Sequence, residues 1–227
     1  MNLLAPEDLG AIALSLKVAV TATAVGLPAA FFVAYVLARR RFPGRTLLSV
    51  ATFLPLVLPP VATGYLLLIL FGRQGVFGQA LAAVGLTLSF RWTGAALAAA
   101  VMAFPLMVRP IRLSIEAIDP EVDDVARSLG ASAWEKLRRV TLPLAAPGLV
   151  AAAVLGFARA LGEFGATITF VAAIPGETLT LPSAIYDATQ TPGHETRALA
   201  LCAISVVIAF AAVLMGERLN GQAARSR

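Results

Sequence analysis

Arg159 and Glu163 stand four residues apart in a run, Leu149 to Ala173, that carries no other charge. On a helix that spacing puts both side chains on one face. An arginine and a carboxylate in an apolar segment have three chemical uses: a structural ion pair, a proton-carrying carboxylate, or a guanidinium that guides an anion. Pro55, Pro59 and Pro60, with Thr63 just beyond, interrupt a second uncharged run between Arg45 and Arg73. Each proline removes a helical hydrogen bond and can bend or break the helix. Carbonyls freed inside a membrane must face protein or water. Two readings therefore stand for these prolines, a kinked packing helix or a bend lining a pathway.

Other chemistry is thinly supplied. A single cysteine, Cys202, excludes an internal disulfide framework and a Cys-cluster metal site. The single histidine, His194, lies in Thr191-Pro192-Gly193-His194-Glu195, which reads as a solvated turn. Cys202 and Met215 read as ordinary packing residues. No G-x-x-x-x-G-K-[ST] run is present, so the phosphate-cradling loop of an ATPase is lacking. The expectation is no catalytic residue, no metal site and no cofactor bound by this chain.

The elements that position these residues follow from composition. Of 227 residues, 59% are hydrophobic and 14% charged, and mean hydropathy is +0.83. So few charges cannot cover a soluble surface. The predicted fold class is an all-α integral membrane protein forming one transmembrane domain over residues 1–227. A crossing helix needs about 20 apolar residues, and five intervals qualify: Val18–Leu37, Thr46–Gly72, Trp92–Val108, Leu149–Ala173 and Ala198–Gly216. The prolines then fall near the middle of span two, and Arg159 near the middle of span four. Gln74–Phe90 is also uncharged, but Gly75, Gly78 and Gly85 make it a poor helix, so a loop with one short interfacial helix is expected.

Lys and Arg gather on the cytoplasmic side of membrane proteins. Placing the Arg39–Arg45 turn in the cytoplasm leaves only Arg73, Arg91 and Arg197 outside. A sixth span at Gln74–Phe90 would erase that asymmetry. Five spans with the N-terminus outside and the C-terminus inside are predicted. The net charge of +5 and pI near 10.1 are thereby explained by the lipid bilayer, without nucleic acid. Glu7 and Asp8 before the first span, and three arginines after it, reverse the charge order of a secretory leader.

The longest polar interval, about residues 113–146, is a cytoplasmic loop between spans three and four. Asp119 is a suitable N-cap and Pro120 suits the first helical position. Val122, Val125, Ala126 and Leu129 form one apolar stripe, and Gly130 is a natural C′ stop. Ser132 and Glu135 have capping-box spacing, opening a second helix expected to end before Pro143. Pro147 is expected to open span four. The stripe must pack on the protein's own membrane core, on lipid, or in a partner's groove, and all three stay open on physical grounds.

Asp124-Val125-Ala126, then Gly130, then Val140-Thr141-Leu142-Pro143 resembles, in spacing throughout, the "EAA" loop of ABC-importer permease subunits. Asp124 replaces Glu, Val125 the first Ala, and Val140 an Ile. Leu54-Pro55-Leu56-Val57-Leu58-Pro59-Pro60 with Thr63-Gly64, and Phe157 to Thr167 around Gly162-Glu163-Phe164-Gly165, resemble permeases for tetrahedral oxyanions. The stretch Ile174–Tyr186 looks most like molybdate permeases. The resemblance implies that Asp124, Val125, Ala126, Gly130, Val140, Leu142 and Pro143 belong to a coupling loop that docks on an ATP-binding subunit. It implies an ATP-driven molybdate importer of the prokaryotic cytoplasmic (inner) membrane, with ATP and Mg held by partner ATPase subunits. It also implies an extracytoplasmic oxyanion-binding protein, and a second copy of this chain completing a homodimeric pathway. Sulfate or tungstate import is the neighbouring alternative. A proton-coupled secondary transporter using Glu163 is the alternative from another class.

Overall fold

The computed structural model describes residues 4–225, with side chains for all but residues 123, 127 and 219–225. Every described element is helical: α1 (Pro6–Arg39), α2 (Arg45–Val57), α3 (Pro60–Phe71), α4 (Val76–Ala83), α5 (Trp92–Glu116), α6 (Pro120–Ser128), α7 (Ala133–Lys136), a π-helical turn (Leu137–Thr141), α8 (Leu142–Leu161), α9 (Gly165–Val171), α10 (Leu181–Gln190) and α11 (Glu195–Arg225).

Three contacts fix the relative direction of the spans. Lys17 Nζ lies 3.6 Å from the centre of the Trp92 ring near the starts of α1 and α5. Gly26 faces Met107 halfway along. Arg45, just past α1, donates to Leu37 O at 3.0 and 2.8 Å and sits 4.0 Å from Glu116 at the end of α5. Helices α1 and α5 therefore run parallel, so the chain must cross between them. The crossing is made by α2 and α3 together, which meet at 116°. Helix α8 returns antiparallel to α5, with Gly148 against Pro110 and Ser114, and Gly156 against Met107. Helix α11 crosses last, with Gly216 against Val154 of α8 and Arg197 beside Asp8. Four helices are long and apolar enough to cross a membrane, and the bent pair, counted as one span, would be the predicted fifth.

The core is built from small residues. Ala19, Ala22, Ala30 and Ala34 of α1 meet Ala95, Ala98, Ala99 and Ala103 of α5, all fully or almost fully buried. Small side chains let backbones approach where lipid supplies no hydrophobic force between helices. Met107, Ile111, Ile115 and Phe170 fill the remaining space.

Three boundaries differ from the sequence reading. Helix α1 has 34 residues and begins at Pro6, because Asp8 finds a cation and need not end the apolar segment. Span four does not run from Leu149 to Ala173. It belongs to a continuous helix of 29 residues, Ala133–Leu161, so Arg159 sits near its end rather than its middle. Pro143 and Pro147 lie inside that helix rather than between elements. The π turn explains the first: Leu142 N–H bonds back five residues to Leu137 O, which resets the hydrogen-bond register just before Pro143, the residue with no N–H to give.

Candidate functional site

The break in span two has a local cause. A residue before proline is pushed out of the α region. Leu58 precedes Pro59 and adopts φ −69°, ψ 143°. Pro59 precedes Pro60 and adopts φ −54°, ψ 133°. Two extended residues in succession turn the chain, and Pro60 restarts the helix at the position where proline does no harm. Pro55 stays inside α2.

The second break, Gly162–Phe164, lies against the first. A Cβ on Gly64 would come 2.5 Å from Ala166 O, and one on Gly165 would come 2.7 Å from Pro60 Cβ. Helices α3 and α9 therefore touch backbone to backbone, and only glycine permits this. Glu163, 3% exposed, ties the break together. Its Oε1 accepts from Ala166 N–H at 2.8 Å, and its Oε2 lies 2.6 Å from Arg159 Nη1. Glu163 is thus both the N-terminal cap of α9 and the counter-charge of the last turn of α8. The pair closes across a helix end, not along a helix face. The hydroxyl of Thr63, on the first turn of α3, is buried without a hydrogen-bond partner.

The structure thus brings Pro59, Pro60, Thr63, Arg159 and Glu163 to one region where two spans are interrupted. A carboxylate that engages a helix end and a guanidinium, beside freed carbonyls and an unused hydroxyl, can hold or release polar contacts at membrane depth.

The polar loop is mounted at the opposite end of α8. Asp119 Oδ1 accepts from Glu121 N–H at 2.9 Å as α6 begins. Gly130 has φ 78°, the left-handed conformation of a helix stop. Ser132 and Glu135 make the capping box, with Glu135 N–H donating to Ser132 Oγ at 3.3 Å and Ser132 N–H to Glu135 Oε2 at 3.0 Å. Of the apolar stripe, Ala126 alone is buried, whereas Val125 is 58% and Leu129 82% exposed. Trp134, on α7, is 67% exposed. The stripe does not fold back on the protein's own core. Asp124 is exposed, Val140 and Leu142 are half-buried and Pro143 is exposed.

Two features escaped the sequence reading. Asp8 is fully buried and takes Arg197 in a forked pair, Nη2 to Oδ1 at 2.6 Å and Nε to Oδ2 at 3.0 Å. This joins the starts of α1 and α11, 189 residues apart. Cys202 and Met215, read as packing residues, face outward from the single chain, because α11 presents most of its surface to the surroundings. His194 is exposed, as expected of a turn. Among the described residues, no group of His, Cys, Asp and Glu is placed to hold a metal ion.

Comparison with known proteins agrees with this arrangement. Residues 26–220 match the family described as binding-protein-dependent transport system inner membrane component, and the chain belongs to that family. It is 53% identical over 210 residues to the molybdenum transport system permease protein ModB of Escherichia coli K12, covering 92% of each chain. It is 51% identical over 214 residues to the corresponding protein of Haemophilus influenzae, covering 94% of this chain and 93% of that one. The fold resembles a bacterial ABC transporter that imports alginate, with TM-score 0.77 and 18% identity over 96% of this chain and 80% of that one. It also resembles the inward-facing MetNI methionine transporter, with TM-score 0.74 and 17% identity over 95% of each chain.

Proposed function

We propose that this chain is the membrane-spanning subunit of an ATP-driven molybdate importer. It works as a homodimer with the pathway on the twofold axis. Separate ATPase subunits bind ATP and Mg below the membrane, and an oxyanion-binding protein delivers the anion above it. The single observation that carries this reading is the 53% identity to a molybdenum permease across 92% of both chains. The orientation, N-terminus outside and the α6–α7 loop in the cytoplasm, rests on the distribution of Lys and Arg.

The geometry gives the reading a mechanical form. The exposed face of Val125, Leu129 and Trp134 supplies an apolar surface suited to a groove on the ATPase. From α7 a continuous helix of 29 residues, about 43 Å at 1.5 Å per residue, leads to Arg159. Arg159 holds Glu163, Glu163 holds α9, and α9 rests on α3 at the break. A tilt imposed on the loop is thereby delivered to the interruption of both spans. This physical chain joins two sites and has a definite test at each link.

The reading is tested in proteoliposomes holding the chain, its ATPase and its binding protein. Molybdate uptake should require ATP and all three components. Uptake driven by a proton gradient without ATP, and abolished by Glu163→Gln, would instead establish the secondary-transporter alternative. Uptake of sulfate in preference to molybdate would move the substrate and leave the class intact.

A further inference from the structure

Where α3 ends, a cavity of about 510 Å³ opens between the turn at Gly72–Gly75 and the residues Ser89 and Phe90 just before α5. Its polar side chains are those of Tyr65, Arg73, Gln74 and Ser89, and no aspartate or glutamate lines it. Each of the four can donate a hydrogen bond, and none of these side chains is engaged in a hydrogen bond or ion pair within the described structure. Ser89 is only 8% exposed, so its hydroxyl is held in the wall rather than waving in solvent. The side chains of Tyr65, Arg73 and Gln74 are exposed, so their donors are open to an acceptor that arrives from solution.

The backbone around the cavity is shaped at some cost. Phe90, next to Ser89, takes φ 58°, a conformation unfavourable for a bulky residue and concentrated at functional positions. Gly75 lies so close to the end of α3 that a Cβ would come 2.3 Å from Ile69 O. Phe71 and Phe77 stack at 5.2 Å, folding α4 back over the turn that carries Arg73 and Gln74.

We propose that this cavity is an entry site for a tetrahedral oxyanion, with Arg73 as the charge partner and Ser89, Tyr65 and Gln74 as hydrogen-bond donors. Such an anion carries four acceptor oxygens and two negative charges, matching a set of donors with no competing carboxylate. The inference rests on the reading of the chain as an oxyanion permease and deepens it by naming where the anion first meets the membrane subunit. Helix α3 then leads from this cavity to the break at Pro59–Pro60, 12 residues or about 18 Å away.

The test is equilibrium dialysis of the full-length chain in lipid nanodiscs against molybdate, with molybdenum measured by mass spectrometry, and against sulfate in parallel. The wild type should bind saturably. Arg73→Gln should weaken binding roughly tenfold or more and Ser89→Ala severalfold, with Arg73→Lys between Arg73→Gln and wild type. Membrane abundance checks that each variant is made. No saturable binding of either anion by the wild type overturns the proposal. So does unchanged affinity in both Arg73→Gln and Ser89→Ala. If Arg73→Gln leaves dialysis unchanged but weakens retention of the extracytoplasmic binding protein, the arginine serves a protein carboxylate and the oxyanion site is again overturned. Binding of sulfate but not molybdate, lost in Arg73→Gln, supports the cavity while refuting the molybdate reading.

Discussion

Glu163 Oε2 and Arg159 Nη1 are 2.6 Å apart although the helix that carries Arg159 has ended at Leu161. The pair is therefore not the side-chain contact that stabilises an isolated helix. It spans the interruption of a membrane segment, and the same carboxylate caps the helix that follows.

That double role makes a specific pattern among variants. Breaking a buried ion pair by removing one partner costs about 3–5 kcal/mol, and the partial exposure of Arg159 brings the expected loss toward or below the lower end. Glu163→Gln and Arg159→Gln should each lower membrane abundance. Arg159→Gln combined with Glu163→Gln should recover much of it, since no unpaired charge remains and the carbonyl of the introduced amide can still accept from Ala166 N–H. Glu163→Ala should stay low with or without Arg159→Gln, because the cap is lost too. Quantitative blots and uptake of the five variants decide it. A stable but inactive Arg159→Gln beside a harmless Glu163→Gln would place Arg159 on the anion path instead.

Asp8 predicts a graded result at the other end of the molecule. It is fully buried and paired to Arg197, whereas Glu7 and Asp187 approach the same guanidinium from exposed positions. Asp8→Asn should destabilise the purified protein by about 3 kcal/mol, and Glu7→Gln or Asp187→Asn by well under 1 kcal/mol. Thermal unfolding in detergent should show one large shift and two small ones; three equal shifts would mean that burial of the pair is unimportant.

At Gly130 the open surroundings separate conformation from crowding. Nothing lies within 4 Å of a Cβ placed there, yet φ is +78°. Gly130→Val should cost roughly 1–2 kcal/mol locally through backbone strain and fail to retain the ATPase on co-purification. Gly130→Asn should be milder, since Asn tolerates the left-handed region. Equal behaviour of the two variants would remove backbone conformation as the cause.

Gly64 gives the opposite case, a clash with fixed backbone. Gly64→Ala must separate α3 from α9, at an expected cost of about 1–3 kcal/mol, and should reduce uptake while leaving ATPase retention intact. Loss of retention together with uptake would show that the whole subunit, not the contact between breaks, had failed.

The topology is checked with single cysteines in a Cys202→Ser background. A cysteine at Thr191 should react with a membrane-impermeant reagent in intact cells, and one at Ser132 should not. Reaction of both from outside would contradict the orientation.

Much of this was legible in the chain itself, for identifiable reasons. The four long apolar helices and the bent pair followed from apolar runs, and the stop at Gly130 and the box at Ser132–Glu135 from local chemistry a few residues long. What stayed hidden depended on partners far away in sequence. The early start of α1 could not be read without knowing that Arg197 waits for Asp8. Arg159 came out near the end of a longer helix than expected: Pro143 and Pro147 read as boundaries, whereas the π turn at Leu137–Thr141 lets the helix pass Pro143. The meeting of Gly64 with Ala166 and of Gly165 with Pro60 involves small residues whose pattern signals close approach but not to what.

The elbow at Leu58–Pro59 bears on how the protein enters its membrane. Helix α2 has 13 residues and α3 has 12, so each reaches only about 18–20 Å, short of a hydrocarbon layer near 30 Å. Neither half can be delivered to the lipid as a separate hydrophobic unit during synthesis. The two halves are therefore expected to partition together, since neither alone spans the layer. A charge introduced into either half should lower the insertion of both, by about 2.5–3.5 kcal/mol near the centre of the segment.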